Sequence, residues 1–127
     1  MSNLPSVMVV DDEEELACLF MELLKGSGFN CVSFTDPLLA LNHFSSNPDQ
    51  YSLALSNLRM PGLNGMELAK RIREYSSKVK ILIITAYYDT ETLNVDELRK
   101  ANISNVLKKP LKLKELRVHV TNVCNTY

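Results

Sequence analysis

Apolar and polar positions alternate in blocks along the chain. Val7-Met8-Val9-Val10 is a short unbroken apolar run that stops at two aspartates, a pattern suited to a strand buried on both faces. A helix is predicted over 13–25, where Leu16, Leu19, Phe20, Leu23 and Leu24 recur at helical spacing and glutamates fill the first turn. Gly26 and Gly28 are expected to end it. A second strand is predicted over 31–35. The next helix opens at Asp36-Pro37, a cap followed by a proline suited to the first position, with Leu38, Leu41 and Phe44 inward.

The same alternation continues to the end. Residues 53–56 predict a third strand, and Met60-Pro61-Gly62-Leu63-Asn64-Gly65 a loop. A third helix is predicted over 66–75, with Leu68, Ala69 and Ile72 inward, and then a fourth and most apolar strand over 79–84. A weaker helix is predicted over 91–101, its thin stripe made of Leu93, Leu98 and Ala101, with Val95 as a further candidate. Strand five is predicted over 104–107, and the last helix carries Leu113, Leu116, Val120 and Val123 on one face. Strands that alternate with helices require a parallel sheet covered on both sides through right-handed crossovers. The expectation is one α/β domain over 1–127, with no effector domain.

Composition narrows the class. The apolar share of 46% is that of an ordinary soluble globular protein. A net charge of −1 gives no global field toward nucleic acid or membrane. No apolar run approaches the roughly 18 residues that span a bilayer, and 1–5 lack a signal-peptide layout. A cytoplasmic location, with neither nucleic acid nor membrane as partner, is expected. Cys18, Cys31 and Cys124 are too far apart for a zinc or redox motif and are expected as reduced thiols. The basic run Lys108, Lys109, Lys112 and Lys114 is expected as a solvated face, and no role is assigned to His43 or His119.

Ligands of open α/β sheets bind outside the carboxyl ends of the strands. Asp11 and Asp12 stand at the first such end, Asn57 at the third, Thr85 at the fourth and Lys109, followed by Pro110, at the fifth. Adjacent carboxylates call for a cation or donor between them. Oxygen ligands of this kind suit magnesium, a lysine supplies a point charge for a phosphoryl group, and a threonine hydroxyl can donate to one. Each residue alone is most simply a turn, a cap or a strand end; their convergence favours a phosphoryl or metal site.

Val9-Val10-Asp11-Asp12-Glu13, Leu58-Arg59-Met60-Pro61-Gly62-Leu63-Asn64-Gly65, Thr85-Ala86 and Lys109-Pro110 together resemble response-regulator receiver domains over nearly the whole chain. The resemblance implies a flavodoxin-like, doubly wound five-stranded parallel sheet of order 2-1-3-4-5 with five helices. It implies magnesium on Asp11 and Asp12, Asp12 being the direct ligand, and on the Arg59 backbone carbonyl. It makes Thr85 and Lys109 the conserved threonine and lysine, with a cis Lys109-Pro110 bond. It further implies a histidine kinase or phosphotransfer protein as partner, and an output protein or second copy at the face built from helix 4, strand 5 and helix 5.

Two positions depart from that pattern. Asn57 stands where the phosphoacceptor aspartate is expected, and Val106 where the aromatic switch residue is expected. The stretch between Thr85 and Lys109 is also about two residues longer than usual for the family. An uncharged amide is no nucleophile toward phosphorus, and with one anionic ligand lost, Asn57 makes any magnesium site weaker. The chain is thus expected to be a stand-alone, non-enzymatic receiver of a phosphorelay, not phosphorylatable as it stands, or a phosphorylation-independent interaction module. Two origins fit Asn57, natural loss of the acceptor or its exchange in an ordinary receiver. A flavodoxin-like cofactor binder lacks glycines in its first strand–helix turn here, and an aspartate-nucleophile phosphatase would carry Asp-x-Asp rather than Asp11-Asp12-Glu13. A DNA-binding regulator would need an effector domain.

Overall fold

A computed structural model describes residues 4–86 and 93–125. Five parallel strands lie in the order β2-β1-β3-β4-β5. They are β1 (Ser6–Val10), β2 (Asn30–Phe34), β3 (Leu53–Asn57), β4 (Lys80–Ala86) and β5 (Asn105–Lys109), and the helices are α1 (Glu14–Gly26), α2 (Pro37–Ser46), α3 (Gly65–Tyr75), α4 (Val95–Lys100) and α5 (Leu113–Cys124). This is the flavodoxin-like, doubly wound arrangement expected from the sequence. The central position of β3, between β1 and β4, explains its unbroken burial.

Strand residues alternate between two cores. Met8, Val10, Ala54, Ile81 and Ile83 meet Ala40, Phe44, Leu68, Ala69 and Ile72 of α2 and α3. Val7, Val9, Leu53, Leu55, Leu82 and Ile84 meet Phe20 and Leu24 of α1 and Leu116 and Val120 of α5. Two apolar layers therefore clamp the sheet, and the polar strand ends are left along one edge.

Several local expectations are corrected. Gly26 is the last residue of α1, and the turn falls at Ser27 and Gly28, whose φ of +95° favours glycine. Glu13 is the N-cap rather than the first helical residue. Leu19 is 45% exposed, because α1 buries Ala17, Phe20 and Leu24 instead. Leu38, expected inward, is 55% exposed: α2 buries Pro37, Ala40 and Phe44, and Leu38 lies over Gly62 of the β3–α3 loop. Leu113 is 37% exposed, more open than the Leu116 and Val120 that α5 buries.

The fourth helix is the largest revision. Its expected first residues, Glu91 and Thr92, lie outside the described residues. Asn94 caps α4 by accepting bonds from the Asp96 and Glu97 amides, so Leu93 precedes the helix and packs on the core from outside it. β4 runs on through Thr85 and Ala86, and β5 through Lys108 and Lys109, because the two strands pair as far as Ala86 with Lys109. Asp36 caps α2 as expected, accepting from the Leu38 amide at 2.9 Å.

Candidate functional site

The carboxyl edge of the sheet holds a cleft of about 180 Å³ lined by Asp12, Glu13, Asn57, Arg59, Thr85, Ala86 and Lys109. β1 supplies the acidic pair. The Asp11 amide donates to the Phe34 carbonyl at 3.0 Å, which continues the β1–β2 ladder by one residue. Asp11 is buried and turned back on the chain, its Oδ1 accepting from the Glu13 amide at 3.0 Å. Asp12, one residue on, is exposed at the cleft mouth. Alternation along the chain thus gives two adjacent carboxylates different positions, one beneath the cleft and one lining it.

Burial raises the Asp11 carboxyl above its ordinary range. The Glu13 N–H and the Lys109 charge pull it back down, while the charges of Asp12 and Glu13 push it up. Lys109 at the end of β5 therefore acts electrostatically on Asp11.

Asn57, the last residue of β3, forms the floor. Its Nδ2 donates to the Arg59 backbone carbonyl at 2.9 Å and reaches Asp12 Oδ1 at 3.5 Å. The bond to Arg59 is the shorter of the two. That bond joins residues two apart and depends on how the chain turns after β3, so residue order does not disclose it. The backbone around Asn57 is anchored on several sides. Leu58 N–H donates to the Ile84 carbonyl at 2.8 Å, Ser56 Oγ donates to the Asn57 carbonyl at 2.9 Å, and Gly65 N–H donates to the Leu58 carbonyl at 2.7 Å. A Cβ on Gly65 would lie 2.5 Å from the Asn57 carbonyl oxygen, so the start of α3 abuts the cleft floor backbone to backbone. Asn64 and Glu67 secure that start with a reciprocal capping box.

Thr85 is buried, and its Oγ1 donates to the Ala86 carbonyl at 3.3 Å. The Lys109-Pro110 bond is cis. Val106 lies mid-strand in β5, beside Ile83 of β4, and packs partly buried on the core under α2 and α3. The structure therefore brings Asp12, Asn57, Arg59, Thr85 and Lys109 to one cleft, sets Asp11 beneath it, and leaves Val106 away from it. Glu13 and Ala86 line the cleft without having been singled out in the sequence.

Elsewhere, His43 has a partner that the sequence did not reveal: its Nε2 and the Tyr51 hydroxyl are 2.6 Å apart, across the α2–β3 connection. Cys18, Cys31 and Cys124 are free thiols. Among the described residues, no group of three or more His, Cys, Asp or Glu side chains gathers to hold a metal ion, and no helix is long and apolar enough to cross a membrane. A divalent cation in the cleft would find the Asp12 carboxylate and the Arg59 carbonyl, but the third side chain turns an amide nitrogen toward both. As arranged, these donors do not fit a cation.

Comparison with known proteins agrees with this geometry. A family model described as response regulator receiver domain matches residues 7–121. The chain is 33% identical over 115 residues to the DNA-binding response regulator MtrA of Mycobacterium tuberculosis, covering 90% of this chain and 48% of that protein. It is 30% identical over 117 residues to a cyclic di-GMP phosphodiesterase of Thermotoga maritima, covering 92% of this chain and 30% of that protein. The chain thus spans less than half the length of these relatives. A Clostridium thermocellum receiver domain protein superposes with a TM-score of 0.86 at 22% identity, covering 96% of this chain and 95% of that one. The receiver domain of a Francisella response regulator does so with a TM-score of 0.79 at 27% identity, covering 94% and 96%.

Proposed function

Since the chain belongs to the response regulator receiver domains of two-component signalling, we propose that it is a receiver whose acceptor position is silent. The observation that carries this reading is Asn57 at the end of β3, on the floor of the cleft that Asp12, Thr85 and Lys109 surround. In phosphoryl transfer to a receiver, a carboxylate oxygen forms a bond to phosphorus as the donor's bond to phosphorus breaks. The Asn57 oxygen belongs to a neutral amide and lacks the charge to attack. The chain then takes part in a phosphorelay without accepting its phosphoryl group, and it performs no catalysis of its own. Asp11, Asp12, Thr85 and Lys109 remain as the rest of a phosphoryl site.

Receiver domains generally bind Mg²⁺; here the affinity is weakened, because an amide replaces one anionic ligand. Receiver domains also interact with histidine kinases and output domains. For this chain the contacts are a histidine kinase or phosphotransfer protein, and an output protein or second copy at the face of α4, β5 and α5. A second reading, an interaction module independent of phosphorylation, is favoured by Val106, which cannot carry an aromatic side chain between buried and exposed states, and by Val95 on α4, 65% exposed. A cytoplasmic location accords with both readings.

Intact-mass spectrometry after treatment with a small phosphoryl donor and Mg²⁺ tests the proposal. The wild-type chain should gain no mass, and Asn57→Asp should gain one base-labile phosphoryl group. Uptake by the wild type refutes the silent-acceptor reading. An Asn57→Asp chain that binds Mg²⁺ yet takes up no phosphate favours the interaction module.

A further inference from the structure

The Asn57 amide nitrogen donates to the Arg59 carbonyl at 2.9 Å and to Asp12 Oδ1 at 3.5 Å. A cation in this cleft would need the same two atoms. Both are acceptors only, so hydrogen bonding turns the nitrogen of the amide, not its oxygen, toward them. An amide nitrogen has a delocalised lone pair and cannot coordinate a metal. An entering ion would therefore have to break the bond to Arg59 and rotate the amide by half a turn. The backbone cannot relieve this by shifting, since the bonds of Leu58 to Ile84, of Ser56 to Asn57 and of Gly65 to Leu58 hold the floor in place.

We propose that the Asn57 amide itself occupies the cation position. It ties Asp12 to the β3–α3 loop without metal and competes with divalent ions for their ligands. The inference rests on the receiver reading of the cleft and deepens it. A merely poor ligand and a competing occupant differ in what removal of the amide does. Taking away a poor ligand lowers cation affinity or leaves it unchanged. Taking away an occupant frees the Arg59 carbonyl and Asp12, and affinity rises although the side chain offers no new ligand.

The probe is Mn²⁺ alone, titrated against the folded wild type, Asn57→Ala and Asn57→Ser, with binding read from water-proton relaxation and folding checked by circular dichroism. Mn²⁺ should bind Asn57→Ala about five- to tenfold more tightly than the wild type, the equivalent of one net hydrogen bond. Asn57→Ser should lie on the same side. Equal or weaker binding by the variants overturns the proposal. In the wild type, the Asn57 side-chain NH₂ resonances should stay in place at Mg²⁺ concentrations that saturate Asn57→Asp; their displacement also overturns it. Phosphoryl uptake by the wild type would refute the functional reading alone, while the Mn²⁺ comparison would still decide this one.

Discussion

Gly65→Ala tests whether the start of α3 sets the floor of the cleft. The added Cβ would lie 2.5 Å from the Asn57 carbonyl oxygen, 3.1 Å from the Leu58 Cα and 3.2 Å from the Asn57 carbonyl carbon. All three are backbone atoms of the central strand and its first loop residue, so no side chain can swing aside. Overpacking of this kind costs about 1–3 kcal/mol. Strain on the Gly65-to-Leu58 bond adds about 0.5–1.5 kcal/mol. Alanine's lower backbone entropy in the unfolded chain returns about 0.4–1 kcal/mol. The net is a destabilisation of about 0.5–4 kcal/mol, or roughly 2–15 °C in Tm for a chain of this length. Urea denaturation at constant m and a thermal melt measure it. Gly26→Ala is the control of opposite sign: nothing lies within 4 Å of its added Cβ, so it should be neutral or stabilising by up to about 1 kcal/mol. A Gly65→Ala chain as stable as the wild type would show that α3 does not press on the cleft floor.

Three further outcomes follow. Asn57→Asp should lose about 1–3 kcal/mol in metal-free buffer, because a carboxylate would face the Arg59 carbonyl and Asp12 with no proton between them. Mg²⁺ should restore that stability, as thermal melts with and without the ion would show. Arg73→Met should cost about 2–3 kcal/mol by chemical denaturation, since the guanidinium donates to the carbonyls of Ala101 at 2.7 Å, Asn102 at 3.2 Å and Ser76 at 3.3 Å and joins α3 to the end of α4. Arg73→Lys should recover only part, because an ammonium cannot reach all three. Burial pushes the Cys31 thiol up to about 11, so the folded state holds its proton more tightly than the unfolded state does. Stability should therefore fall as pH rises from about 9 toward about 11, by about 3 kcal/mol at most. Denaturation of wild type and Cys31→Ala should show that extra slope in the wild type alone, and below pH 8 only the exposed Cys18 should react readily with a thiol reagent.

The sequence by itself determined the fold. Strands buried on both faces must be apolar without a break, and helices packed on one side must repeat near every 3.6 residues; both are local patterns written in residue order. The same logic put Asp11, Asp12, Asn57, Thr85 and Lys109 at strand ends, because a chain that alternates strand and helix returns each strand to the same edge. Two of the local errors share one cause. Amphipathic spacing shows that a helix has an inner face but not its rotation to within one residue, so Leu19 and Leu38 were expected inside and lie outside. What covers Leu38 is the loop at Gly62, more than twenty positions away in the chain.

Only the tertiary structure decided how the cleft is wired. Asp11 and Asp12 are neighbours of the same type, yet one is buried against the Glu13 amide and the other lines the cleft. That division depends on where β1 ends and on what packs around it. The direction of the Asn57 amide is likewise set by the carbonyl that the chain turn brings to it at Arg59. Residue type states which hydrogen bonds a side chain can make. Which one it makes is chosen by the acceptors that other parts of the chain carry into reach, and at Asn57 that choice turns a donor toward the Arg59 carbonyl.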